Sequence, residues 1–211
     1  MPDWFENDKG KYEQIFREAV TDWVKKHVIV DKEIDELSEG YYILKNSIVK
    51  RLSGTVNVSM YDSTVNMLHD NSVVKRMHDN SVVNEMWNSS IVNEIWGDSV
   101  VNKMYDNSFI RRMHNCSVAR EMHNNSVIQE MHNYSSVQEM YDNSIVQGMY
   151  TESVVEKMNN NSVIQEMHGN SIVREMYHCS AVQEMYNRSI AIDKDGIIYK
   201  SNGSHFKVIN G

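Results

Sequence analysis

Three histidines recur at intervals of nine, His114, His123 and His132, and evenly spaced imidazoles are the first candidates for chemistry in this chain. Neutral imidazole is a common metal ligand, and a tetrahedral zinc site takes four nitrogen, sulfur or carboxylate donors. No carboxylate or thiolate completes such a set, and Tyr or Trp takes the same place in neighbouring segments, so no metal and no cofactor is expected. Cys116 and Cys179 have no histidine arranged to activate them, and they read as free thiols of a reducing compartment. Serines are numerous, but none stands out as a nucleophile with its base. There is no P-loop and no G-x-G-x-x-G. An active site would have to break the surrounding pattern, and the pattern hardly breaks; an enzyme is not expected.

That pattern is a repeat of nine. From Asp62 to Gly196 the chain divides into fifteen consecutive nonapeptides without an insertion. Position two is Ser in all fifteen, position four is Val, Ile or Ala, and position seven is Met in twelve. Position eight is mostly His, Tyr or Trp, and positions nine and one favour Asn, Asp and Gly. A poorer copy, Asn46 to Gly54, precedes the regular register. Fixed-period self-similarity marks a solenoid or array.

The period excludes one continuous helix. Nine residues make two and a half α-helical turns, so successive Val and Met would fall on opposite sides. β-Branched residues between Asn, Asp and Ser favour short strands joined by turns. Two nonapeptides make an 18-residue coil, and stacking at about 4.8 Å pairs each strand with those above and below. Ser at two and the aliphatic at four then point inward. Met at seven fills from the next face after a bend near five and six, and Asn or Asp takes a left-handed corner. The inward serines are expected to bond along their ladder. The expected fold is mainly β: a β-solenoid of about fifteen nonapeptides over 46–196, about seven regular coils and roughly 35 Å long at that spacing.

The sequence S-V-V, S-I-V or S-V-I, a small residue followed two places later by an aliphatic, resembles the pentapeptide-repeat solenoids, whose A-[DN]-L-x-x pattern also turns a small residue and an aliphatic inward. The resemblance covers Asp62 to Gly196, with a period of nine in place of five and Met in place of the second aliphatic. It implies a β-solenoid and a binding role, since some members of that family act as DNA mimics against topoisomerases. The calcium-binding nonapeptide roll is excluded, because it needs glycines this array lacks.

Both ends depart from the repeat. Tyr12, Ile15, Phe16, Ala19, Val20, Trp23, Val24 and His27 fall at helical spacing, an amphipathic helix within an N-terminal cap of residues 1–45. Asp31 is expected to cap a second short helix through Ser38, before a strand over Tyr41–Lys45. Asp195-Gly196 and Asn202-Gly203 are hairpin turn signals, so 197–211 is expected to form a C-terminal hairpin cap. The N-terminal segment is also a candidate surface for homo-oligomers.

What remains is surface. With two repeats per coil, position eight forms two columns: His69, Trp87, Tyr105, His123, Tyr141, Asn159, Tyr177, and His78, Trp96, His114, His132, Tyr150, His168, Tyr186. Position six turns acidic later in the array, with Glu121, Glu139 and Glu175 on one face and Glu130, Glu166 and Glu184 on the other; Arg76, Lys103, Arg111 and Arg112 lie earlier. Repeat proteins bind through such extended regular surfaces. The chain's net charge of −8 argues against direct nucleic-acid binding and for a basic protein partner, such as a nucleic-acid-handling enzyme. Aromatic columns that bind polysaccharide, and a structural spacer or assembly element, are the alternatives. No apolar run approaches the ~20 residues of a membrane span, and the charged N-terminus lacks a signal peptide's apolar core, so a cytoplasmic protein is expected. Near-identical repeats point to growth by duplication, as in phage or mobile-element cargo.

Overall fold

The last residue of each nonapeptide, Asn, Asp or Gly in all but two, decides where the chain turns. In the computed structural model, which describes residues 3–201 and 208–209 and side chains from 10 to 201, position nine is left-handed in every repeat from Asp70 to Asn187, with φ between 44° and 68°. Asn, Asp and Gly accept that conformation at least cost. The following serine's amide closes the corner on the position-eight carbonyl, as from Ser81 to His78 at 3.3 Å. Thr151 is the β-branched exception, at φ 44°. Thr151→Asn is expected to raise stability by about 1 kcal/mol by relieving it, read as a higher urea midpoint at unchanged slope.

Between corners, positions three to seven form one strand. Val127–Met131 pairs in parallel with Ile145–Met149, eighteen residues on, so two nonapeptides make one coil. The ladder joins Val127 to Ile145, Ile128 to Val146, Glu130 to Gly148 and Met131 to Met149, and passes over Gln129. In a straight strand, residues three apart point to opposite faces. Here the chain bends at position five, which lets both Ile128 and Met131 face inward with no exposed surface. Ser, aliphatic and Met thus stack on their own kind along one dry core.

The array serines are fully or almost fully buried, and only the early ones bond from coil to coil as expected: the Ser63 amide donates to Ser81 Oγ at 3.4 Å and Ser72 Oγ to the Leu52 carbonyl at 3.5 Å. Ser81 donates to the carbonyl of His78 at 2.7 Å and Ser99 to that of Asp79 at 3.2 Å. Eleven others, from Ser90 to Ser189, have no hydroxyl partner among the described residues. A small side chain holds the inward corner in every repeat.

Among the described residues two eleven-stranded sheets result, each of ten parallel strands closed by one antiparallel strand. Ten strands at about 4.8 Å give a rod of about 43 Å, longer than the repeat alone implies. The extra coils come from the N-terminal segment, because the stack begins at Val28. The second helix expected from Asp31 to Ser38 is absent. Glu33–Leu37 is a strand, parallel to Ile48–Leu52, and Ile34 and Leu37 pack against the core. Asp31 is a left-handed corner at φ 52°, not a helix cap.

These first coils are narrower. Val28 stands opposite Ile43, fifteen residues on, and Tyr41 opposite Asn57, sixteen on. The full eighteen is reached at Thr64 opposite Val82, and on the other sheet at Val73 opposite Ile91, after an irregularity between Val58 and Ser59 that takes the offset from sixteen to seventeen. The rod widens there.

The N-terminal helix, Asp3–His27, is about 37 Å long at 1.5 Å per residue. Its last turn meets the rod, where the His27 ring stacks on Trp23 at 4.8 Å and lies 6.5 Å from Tyr42. Further back its apolar stripe is open: Phe16 is 70% exposed and Ile15 51%. No helix among the described residues is long and apolar enough to cross a membrane. At the other end Ile190–Asp193 pairs antiparallel with Ile198–Lys200 around Asp195-Gly196, the expected hairpin. Val208–Ile209 runs antiparallel to Ala181–Met185 and closes the second sheet. Reversing direction at both last rungs covers edges that would otherwise recruit other chains. The Asn202-Gly203 turn lies outside the described residues.

Candidate functional site

Positions six and eight flank the buried methionine and both face outward, and in eight repeats they bring a carboxylate and a ring together. Trp87 Nε1 donates to Glu85 at 3.0 Å and Trp96 Nε1 to Glu94 at 3.4 Å. His123 pairs with Glu121 at 3.1 Å, His132 with Glu130 at 3.3 Å and His168 with Glu166 at 3.0 Å. The hydroxyls of Tyr141, Tyr177 and Tyr186 donate to Glu139, Glu175 and Glu184. Sequence reading placed the acids and the rings in separate columns; the fold joins them into one device. Glu85 and Glu94, which were not singled out, belong to it as well.

The rings also stack on one another. Trp87, Tyr105, His123 and Tyr141 follow at 4.1, 5.1 and 4.9 Å on one sheet. On the other, Trp96, His114, His132, Tyr150, His168 and Tyr186 run at 4.0, 5.3, 4.9, 5.0 and 4.7 Å. Each ring is half-buried, with its faces against its neighbours and its edge outward. A flat sugar would have to displace a neighbour to reach a face. Tyr150 has no glutamate below it, because position six is Gly148. Its ring lies across that glycine so closely that a Cβ there would sit 2.7 Å from a ring carbon.

Charge is unevenly shared. Arg76, Glu94, Arg112 and Glu130 alternate up one sheet, linked at 3.3, 3.7 and 3.1 Å. Lys103 meets Glu121 at 3.5 Å on the other. Among the described residues Glu139, Glu166 and Glu175 have no Lys or Arg in ion-pair range, although Lys157 stands in register between Glu139 and Glu175. The unneutralised acids therefore gather in the C-terminal half. Reading position six at intervals of eighteen would have revealed the alternation. The same spacing reveals a corner ladder of Asp70, Asn88, Asp106, Asn124, Asp142 and Asn160. There Asn124 donates its side chain to Asp106 at 3.3 Å and its amide to Asp142 at 3.2 Å. Cys116 and Cys179 are exposed free thiols at other corner positions.

Protonation follows the geometry. The hydrogen bond from His123 holds Glu121 below the usual carboxylate range, with Lys103 adding to it. Burial pushes Glu130 up, but His132 and Arg112 outweigh it and the net shift is downward. His114, enclosed between Trp96 and His132, is lowered from 6.5 by burial first and by the charge of His132 next; Arg112 adds to this, while Glu94 and Glu130 oppose it. A depressed histidine stabilises the fold when neutral. That contribution is whole above pH 6.5 and is lost as pH falls through the lowered value. Unfolding midpoints are expected to drop between pH 7 and 5, and His114→Tyr, which copies Tyr150 in the same column, removes the His114 part of that slope.

No family model, curated protein or solved structure matches this chain.

Proposed function

We propose that this chain is a non-enzymatic binding rod that offers rigid rows of carboxylates to a basic macromolecular partner, best matched by a protein that handles nucleic acid. The observation that supports this is the ring-to-carboxylate bond that recurs in eight of the repeats. A free glutamate must give up rotamer freedom when it binds, about 0.5–1.5 kcal/mol per side chain. Here the tethering ring has already restricted it. Glu166 and Glu184 stand on adjacent strands of one sheet, about 4.8 Å apart along the rod, and Glu139 and Glu175 two strands apart on the other. Fixed anions at strand intervals, interrupted at Gly148 on one sheet and Lys157 on the other, suit a surface evolved for phosphates. The net charge of −8 steers it towards such a surface. The likeness to pentapeptide-repeat solenoids points the same way, to mimicry of DNA inside a reducing cell. The test is competition with DNA for a type II topoisomerase, read as inhibition of supercoiling. Wild-type chain should inhibit, and Glu139→Lys, Glu166→Lys, Glu175→Lys and Glu184→Lys combined should weaken it at least tenfold. Inhibition indifferent to these four reversals rejects the reading.

A second reading, assembly through the N-terminal helix, is favoured by its open stripe of Ile15, Phe16, Val20, Trp23 and Val24. Exposed apolar stripes of this kind bury themselves against a partner. Sedimentation should show a dimer that Phe16→Asp converts to monomer. A monomeric wild-type chain removes this second reading and leaves the first intact.

A further inference from the structure

The widening of the rod creates a groove that neither reading uses. Where sixteen-residue coils give way to eighteen, past the irregularity between Val58 and Ser59, the sheet carries an open depression of about 460 Å³. Tyr41 and Ser59 line its narrow side, with their hydroxyls 3.3 Å apart. Lys75, Arg76, Asn93 and Arg111 line its wide side.

The charge there opposes that of the whole molecule. Three cations line the groove of a chain with net charge −8, against one acid, Glu94. That acid is taken: Arg76 reaches it at 3.3 Å and Arg112 at 3.7 Å. Lys75 and Arg111 form no ion pair among the described residues. They occupy position five on strands Val73–His78 and Phe109–Met113, with Asn93 on the strand between. Two strand spacings therefore set them about 9.6 Å apart along the rod, with the Asn93 amide midway. Position five is the bend that the ladder passes over, so these side chains splay outward from one column. Like charges held together without an acid repel, and an anion between them relieves this.

We propose that this groove binds a phosphate group, gripped between Lys75 and Arg111. An ammonium supplies a point charge and a guanidinium a fork of donors, the pair of contacts that recognises a tetrahedral oxyanion. The Asn93 amide donates to the same anion from between them, and the hydroxyl pair of Tyr41 and Ser59 borders the anion's other side. The groove is open, so the phosphate can be free or the end of an ester. Of the acidic columns only Glu94 lines the groove, and none of the four glutamates reversed above does, so the site is tested apart from them.

Nitrogen-15 NMR of the full chain, titrated with inorganic phosphate, phosphoserine and acetate, reads it. Phosphate or phosphoserine should shift the amide signals around Lys75, Asn93 and Arg111 saturably. Tighter binding of phosphoserine assigns the source to an ester, and equal binding assigns it to free phosphate. Lys75→Ala and Arg111→Gln should each weaken binding roughly tenfold, about 1.4 kcal/mol, while Lys200→Ala leaves it unchanged. Absence of a saturable shift, equal binding of acetate, or binding that survives the paired Lys75 and Arg111 variant overturns the proposal.

Discussion

Ile128→Asp is expected to abolish cooperative unfolding through the middle of the rod, while Val127→Ser, one residue away, shifts stability by less than about 1 kcal/mol. Ile128 has no exposed surface and stacks between Ile110 and Val146, whereas Val127 is half-exposed on the outer face. Truncating a buried Ile costs about 2–5 kcal/mol through lost transfer energy and the cavity left behind. A carboxylate in a dry core adds several more, or must stay protonated. Together these match the 5–15 kcal/mol that holds an ordinary domain. The solenoid makes the damage worse, because each strand touches its neighbours above and below, so one bad rung weakens two interfaces. Val127→Ser has a precedent within the chain, since Ser136 holds the equivalent place one strand on. Circular dichroism during urea unfolding measures both variants. Similar losses at the two positions would mean that the inward and outward assignments are wrong.

The inside of the array was legible because Ser and an aliphatic each recur at their place fifteen times and Met at its place twelve times. Ser126, Ile128 and Met131 could be assigned inward from period and size alone, and the left-handed corners from Asn and Asp. Legibility fell where repetition did. Glu33–Leu37 carries its apolar residues at Ile34 and Leu37, an interval of three that imitates a helix turn. It also fits a strand bent like those of the array, as at Ile128 and Met131. Only the rung beneath, Ile48–Leu52, decides between them by offering a ladder. The narrow coils of fifteen and sixteen residues hid the continuation for the same reason, since a repeat of varying length has no fixed period to find.

The outer surface was legible as columns but not as contacts. Positions six and eight were each seen to recur. That the ring of one reaches back to the carboxylate of the other depends on side-chain direction around the bend at five. The bond also rests on different donors, indole in Trp87, imidazole in His123 and hydroxyl in Tyr177, which share geometry and not residue type. The interchange of His, Tyr and Trp that weakened a metal reading is what this bond requires, because every one of them can present a hydrogen to Glu.

Removing one nonapeptide, Asn125 to Asn133, is expected to leave a folded rod while moving everything beyond it to the opposite sheet. Each nonapeptide is half a coil, so Ser136–Met140 would stack on Phe109–Met113 in place of Val127–Met131. The core is indifferent to this exchange, because Ser, aliphatic and Met recur on both sides. One strand's packing is lost, and a loss of 1 kcal/mol lowers the melting temperature by about 2–4 °C at this chain length. The two exposed cysteines report the move. Cys116 and Cys179 are seven nonapeptides apart and occupy opposite corners of the rod. With one nonapeptide removed they are six apart, on the same corner and separated by three strand spacings, about 14 Å. A bis-maleimide of matching reach should then close an intramolecular bridge in the shortened chain and not in the full one. A bridge formed equally well in both would show that the coil does not divide evenly into two nines. The face assignments of Glu139, Glu166, Lys75 and Arg111, and the binding proposals drawn from them, would fall with that division.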